Sequence, residues 1–173
     1  MNYCEIKPTD IANGTGVRVS LFVSGCTHHC KGCFNAVTWD FNYGQPFTEQ
    51  TQQSIIEMLK PHYIEGLTLL GGEPFEPQNQ VELLKLLKEV RKTYGNTKNI
   101  WCYSGYTYEE LTKESRAKID ITFDMLSLID VLVDGEFKLE QKDITLKFRG
   151  SKNQRIIDVK KSIEQNNIVL YMQ

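Results

Sequence analysis

No run of apolar residues in this chain approaches the roughly 20 needed to cross a bilayer as a helix. The opening residues, Met1 to Pro8, contain no apolar stretch of the kind that directs secretion. Internal repeats, low-complexity tracts and long linkers are also missing. Neither sign of charge dominates, since 20 Lys and Arg against 22 Asp and Glu leave a net −2. That balance gives no electrostatic reason to expect nucleic acid or an anionic membrane as partner. Histidine is scarce, with three in all. Five cysteines are too unevenly placed for a disulfide framework, because three of them crowd together, and this fits a metal site in a reducing compartment. The chain reads as a cytoplasmic protein.

Hydrophobic residues make up 40% of the 173 and charged residues 24%, ordinary globular values that allow one domain, 1–173, with a substantial core. The crowded cysteines stand as Cys26-Thr-His-His-Cys30-Lys-Gly-Cys33. Thiolates are soft, covalent ligands for iron, and short spacings of this kind hold iron–sulfur clusters. Three of them occupy three corners of a cube and leave the fourth iron free to bind a substrate. With His28 or His29 as a fourth ligand, the same run makes a tetrahedral zinc site, and spacing leaves both open.

Periodicity supplies the frame. Val17 to Ser24 alternates as a strand, and the cysteine loop follows at Gly25. A helix is expected from Glu49 to Leu59, with Ile55, Ile56 and Leu59 on one side. Gly66 to Leu70 is a short buried strand that ends at Gly71-Gly72-Glu73-Pro74. Gln78 to Tyr94 is the strongest helix, with Val81, Leu84, Leu87 and Val90 at helical spacing and Gly95 as terminator. Asn99 to Tyr103 is a strand, Thr107 to Glu110 a capping box that opens a helix, and Asp130 to Val133 a further strand. Ile144 to Phe148 is expected as a fifth. Residues 159–173 form a C-terminal tail of uncertain structure, in which Ile168 to Tyr171 is a terminal strand or a docking segment.

Strands alternating with helices predict an α/β fold with a parallel sheet, and the small number of units predicts a partial (β/α) barrel. Sites in such sheets form at the carboxyl ends of the strands. The cysteine loop and the Gly-Gly-Glu-Pro turn then share one rim. Glycines there let the main chain approach a ligand, and Glu73 can accept a hydrogen bond from an ammonium group. These features suit an amino acid chelating the free iron through its amine and carboxylate.

Cys-x-x-x-Cys-x-x-Cys after one strand and Gly-Gly-Glu-Pro after the next resemble the radical S-adenosylmethionine enzymes. Further blocks are similar to one small family among them, the activators of anaerobic ribonucleotide reductase. These blocks are Asp10 to Gly16, Leu21 to Asn35, Gly44 to Phe47, Ser104 to Tyr106, Asp130 to Gly135 and Phe148 to Gln154. They favour the cluster over zinc. The resemblance implies a [4Fe–4S] cluster on Cys26, Cys30 and Cys33, with S-adenosylmethionine held near Gly32, Cys33, Phe34, Gly71, Gly72, Glu73 and Ser104. Gly32 stands where many members of the superfamily carry an aromatic residue, and Phe34 takes that role or packs as an ordinary core residue. Implied partners are the large catalytic subunit of the reductase and a low-potential donor of the flavodoxin or ferredoxin type. Homolytic chemistry needs no acid–base residue, so the scarcity of histidine is no obstacle. His28 and His29 are expected in solvent, Cys102 in the core, and Arg149 beside a ligand carboxylate or a surface acid such as Asp134. The other readings are a radical enzyme acting on a small molecule or on another glycyl-radical enzyme, and a zinc-stabilised interaction module.

Overall fold

The computed structural model describes residues 1–173. In chain order it comprises β1 (Asn2–Asp10), β2 (Val17–Val23), a 3-10 turn at Ala36–Trp39, β3 (Gln45–Pro46), α1 (Glu49–Met58) and β4 (Ile64–Gly71). Then follow α2 (Pro77–Tyr94), β5 (Asn99–Ser104), α3 (Tyr108–Thr112), α4 (Thr122–Ser127), β6 (Val131–Asp134), β7 (Arg155–Asp158), α5 (Val159–Gln165) and β8 (Leu170–Met172). One sheet of eight strands has the order β3-β1-β2-β4-β5-β6-β7-β8. No helix is long and apolar enough to cross a membrane.

The sheet is mixed and open, which corrects the expectation of a parallel sheet. Only β2, β4, β5 and β6 run parallel, and β1, β3, β7 and β8 pair antiparallel at the flanks. The connections explain the difference. Helices carry the chain back between β4, β5 and β6, whereas residues 135–154 contain only the 3-10 turn Leu139–Gln141, so β7 returns in the opposite sense. β1 escaped the sequence reading because Pro8 interrupts its alternation. The strand sits beside β2 with register shifts between Tyr3 and Glu5 and between Lys7 and Asp10, the second of which accommodates the proline.

The expected strand at Ile144–Phe148 does not form. Ile144 is 89% exposed, and the Asp143 carboxylate accepts hydrogen bonds from the Thr145 N–H and Oγ1, a local turn that competes with pairing. The tail, by contrast, is ordered as α5 and β8, and β8 pairs with β7.

α1 begins at a capping box in which Thr48 and Thr51 satisfy each other's backbone donors, and α3 does the same through Thr107 and Glu110. In α2 the buried stripe is Leu83, Leu84, Leu86, Leu87 and Val90, while Val81 is 45% exposed. Val81 shares its face with Lys85, Lys88 and Lys92, so the inward positions go to Asn79 and Gln80. Both are tethered. Asn79 Nδ2 donates to the carbonyls of Ser24 and Glu73, and Gln80 Nε2 to those of Phe75 and Ala117. The helices cover one face of the sheet, where Cys102 is fully buried. Trp101, Val131, Val133 and Ile156 form a smaller apolar layer on the other.

Asp130 ties this frame together below the site. Its carboxylate accepts from Arg91 Nη2 at 2.7 Å, from the Ile100 N–H at 2.8 Å and pairs with Lys160 Nζ at 2.9 Å. Burial alone raises its pKa, but the hydrogen bonds from Lys160, Arg91 and Ile100 outweigh it and hold it below the ordinary carboxylate value. The lowered pKa gives stability that is complete above the unfolded-state value of about 3.9 and is lost as pH falls through the folded one. Asp130→Asn is expected to lower stability to urea at pH 7 and to flatten the loss below about pH 4. An unchanged acid limb would remove Asp130 from this role.

Candidate functional site

The cysteine loop leaves β2 at Val23 and the glycine turn leaves β4 at Gly71, on adjacent parallel strands. Main-chain hydrogen bonds join the two. The Gly72 N–H donates to the Val23 carbonyl at 2.7 Å and the Glu73 N–H to the Gly25 carbonyl at 2.8 Å. A Cβ on residue 72 would stand 2.5 Å from the Gly25 oxygen, so glycine is needed there for contact between the loops. Gly71 has φ +105° and packs against the Val23 backbone.

Every residue between Cys26 and Cys30 is held. Thr27 donates through its N–H and Oγ1 to Glu76 Oε1, at 2.8 and 2.7 Å. His28 places Nε2 3.0 Å from Glu73 Oε2 and Nδ1 2.7 Å from Glu136 Oε1, and its ring meets Tyr106 at 4.4 Å. His29 stacks on Trp39 at 4.4 Å. The expectation of a solvent-exposed His28 is therefore corrected, for its side chain is 4% exposed. Burial disfavours its charged form, yet the hydrogen bonds and charges of Glu73 and Glu136 raise its pKa above the ordinary histidine value. No local signal in the sequence marks this, because Glu73 and Glu136 lie 45 and 108 residues from His28.

Glu73 is 1% exposed. Oε1 accepts from the Phe75 N–H and from Ser104 Oγ, both at 2.9 Å, and Oε2 from the Gly105 N–H at 2.7 Å as well as from His28. Glu73 and Ser104 thus meet directly at the carboxyl ends of β4 and β5.

A cavity of about 590 Å³ opens at this rim and is lined by Cys26, Cys30, Cys33, Phe34, Gly71, Gly72, Glu73 and Ser104. Of the residues proposed from the sequence, Gly32 alone stands outside the lining, packed towards Leu139 and Phe137. Phe34 is 66% exposed and tilts against Phe137 with ring centres 5.1 Å apart, which excludes an ordinary core position. The floor includes Phe22, Leu70, Tyr103 and Val133, whose roles sequence periodicity did not mark. Arg149 also lines the cavity and donates to the Gln154 carbonyl at 2.6 Å, whereas Asp134 pairs with Arg155. The block from Arg149 to Gln154 is knitted to the turn after β6. Gln154 Nε2 donates to the Gly135 carbonyl and Asn153 Nδ2 to that of Glu136.

All three clustered cysteines are free thiols. No three Cys, His, Asp or Glu side chains converge as the ligands of one ion do. A cubane asks for something else. Each thiolate meets its own iron, so the thiols must surround a volume, and these three line one cavity. The donor set therefore fits a cluster. Burial pushes the Cys26 thiol up to about 12, and burial followed by the charge of Glu136 raises Cys30, so metal uptake must displace protons.

Residues 12–157 match the family described as a 4Fe-4S single cluster domain, and the chain is a member of that class. Its relatives narrow the class. It is 47% identical over 158 residues to the anaerobic ribonucleoside-triphosphate reductase-activating protein of Haemophilus influenzae, covering 90% of this chain and 97% of that one. The protein of the same name from Escherichia coli K12 is 44% identical over 156 residues, 89% and 96% of the two chains. That of enterobacteria phage T4 is 40% identical over 158 residues, 90% and 93%. The chain belongs to the anaerobic ribonucleoside-triphosphate reductase-activating protein family.

Proposed function

We propose that this protein activates an anaerobic ribonucleoside-triphosphate reductase by installing a glycyl radical on its large subunit. The observation that carries the reading is the meeting of three free thiols, the Gly71-Gly72-Glu73 turn and Ser104 around one cavity at the strand ends. Cys26, Cys30 and Cys33 would hold a [4Fe–4S] cluster with one iron open to S-adenosylmethionine. When bound, such a cluster supplies one low-potential electron to the sulfonium, whose C5′–S bond breaks to give methionine and a 5′-deoxyadenosyl radical that takes hydrogen from a glycine Cα.

The residues of this chain bind, orient and shield. Gly71, Gly72, Glu73 and Ser104 face the methionine end of the nucleotide and Phe34 flanks the nucleoside, while Gly32, outside the lining, gives the turn before Cys33 its positive φ of 77°. Phe22, Leu70 and Val133 give the cavity an apolar floor that excludes water from the reacting end. The four parallel strands behind them act as the partial barrel of the radical S-adenosylmethionine type, with residues 1–173 as one domain. The setting is cytoplasmic, the electron donor of flavodoxin or ferredoxin type, and neither nucleic acid nor membrane takes part.

The mouth of the cavity carries two exposed apolar side chains among Lys142, Asp143 and Arg149. Phe34 and Ile144 stand 66% and 89% exposed there, as a loop entering from a large partner requires. Ile144→Asp is expected to lower the yield of reductase radical about tenfold, a typical cost for an interface anchor. Formation of 5′-deoxyadenosine without reductase should not change, and equal radical yields would remove Ile144 from the docking face. Anaerobic incubation of the reconstituted protein with reductant, S-adenosylmethionine and reductase tests the whole reading. A glycyl doublet in the electron-spin spectrum is the expected result. Its absence with the cognate reductase, together with turnover of a small substrate, overturns the assignment.

A further inference from the structure

Glu73 is the residue placed to receive the amine of S-adenosylmethionine, yet its carboxylate has no acceptor position left. An ionised carboxylate offers about four. Four donors fill them here, the Phe75 N–H, Ser104 Oγ, the Gly105 N–H and His28 Nε2. Three belong to the frame. Phe75 and Gly105 donate from the main chain of turns that close β4 and β5, and Ser104 Oγ is fixed in turn by the Tyr106 N–H at 3.1 Å. Only His28 reaches Glu73 through a side chain of the cysteine loop. Its ring is also held from the other side, where Nδ1 lies 2.7 Å from Glu136 Oε1, a carboxylate 51% exposed, and 3.3 Å from Arg116 Nη2.

We propose that His28 holds the amine's place on Glu73 and that the ammonium group of the nucleotide displaces it, so that His28 sets the affinity for S-adenosylmethionine. The exchange is one N–H donor for another at Glu73 Oε2, and no bond other than hydrogen bonds is made or broken. The ring stays with Glu136 and Tyr106 as the nucleotide enters. A site occupied by its own side chain binds more weakly than an empty one, by the fraction of time it stands empty. The inference rests on the reading of the cavity as a nucleotide site.

His28→Phe tests it, since phenylalanine keeps the ring against Tyr106 and removes both nitrogens. Equilibrium dialysis of radiolabelled S-adenosylmethionine against anaerobically reconstituted protein, with iron content measured in parallel, gives the two readouts. Binding about tenfold tighter than wild type at equal iron content is expected, the equivalent of one charge-assisted hydrogen bond no longer to be broken. His28→Gln, which keeps a weaker donor, should fall between the two. A general loss of loop structure cannot tighten binding, so the direction separates displacement from a merely structural role. Equal or weaker binding by His28→Phe overturns the inference alone. So does failure of both variants to take up iron, which makes His28 a brace of the ligand loop. A wild-type protein that binds no nucleotide overturns the parent reading of the cavity, and this one with it.

Discussion

Cys30→Ala is expected to fold normally and to lose both its iron and the cleavage of S-adenosylmethionine. The loop keeps its other ties without the Cys30 sulfur, since the Cys33 N–H donates to the Cys30 carbonyl and Thr27, His28 and His29 are held by their own side chains. The side chain is half-buried, so its removal costs the fold little. Two thiols are too few for a cubane. Iron should fall from about four per chain to near zero. Formation of 5′-deoxyadenosine should drop at least about a hundredfold, while the far-ultraviolet dichroism is unchanged. Cys4→Ser, on β1 and outside the cavity lining, is the control that should load normally. A cluster intact and active in Cys30→Ala would mean that the ligands are wrongly assigned.

The largest effect on stability is expected from Arg18→Met. Arg18 is fully buried on β2 and bridges neighbouring strands, with Nε on Thr68 Oγ1 at 2.7 Å and Nη2 on the Leu67 carbonyl at 3.0 Å and the Asn99 carbonyl at 3.3 Å. Nη1 reaches the Thr15 carbonyl at 3.0 Å, and the guanidinium lies over Trp101 at 5.5 Å. Burial pulls its pKa down to about 10, so it remains charged at neutral pH. Methionine fills the space but leaves buried acceptors without donors, at an expected cost of about 3 kcal/mol. For a chain of this length that corresponds to a fall of about 6–12 °C in Tm. Thr68 also donates to the Asn13 carbonyl, so the loop between β1 and β2 should loosen first. A loss below about 1 kcal/mol would show the bridge to be dispensable.

Elements whose signals are local were legible in the sequence. The capping box at Thr107 and Glu110, the helix ended by Gly95 and the strand from Val17 all depend on neighbours in the chain. The failures share a different cause. Ile144 to Phe148 alternates like a strand, but no partner edge is there to receive it, and Asp143 offers a nearer hydrogen bond. The antiparallel sense of β7 depends on what residues 135–154 do in space, which alternation does not encode. The three thiols were readable from spacing, and their shared rim with Gly71 and Glu73 from topology. His28 was not, because its two carboxylate partners lie 45 and 108 residues away.

The seam between Gly25 and Gly72 has a consequence for variation in this protein. Behind it stand Thr38, whose carbonyl receives the Gly25 N–H, and Phe41, which fills the space a Cβ on residue 25 would take. Gly25, Thr38 and Phe41 lie outside the cavity lining, yet a bulkier neighbour at any of them would pry the thiols away from the adjoining strand. Changes that silence the chain should therefore gather behind the cysteine loop, while the rim of the cavity around Ile144 drifts with whichever reductase it serves.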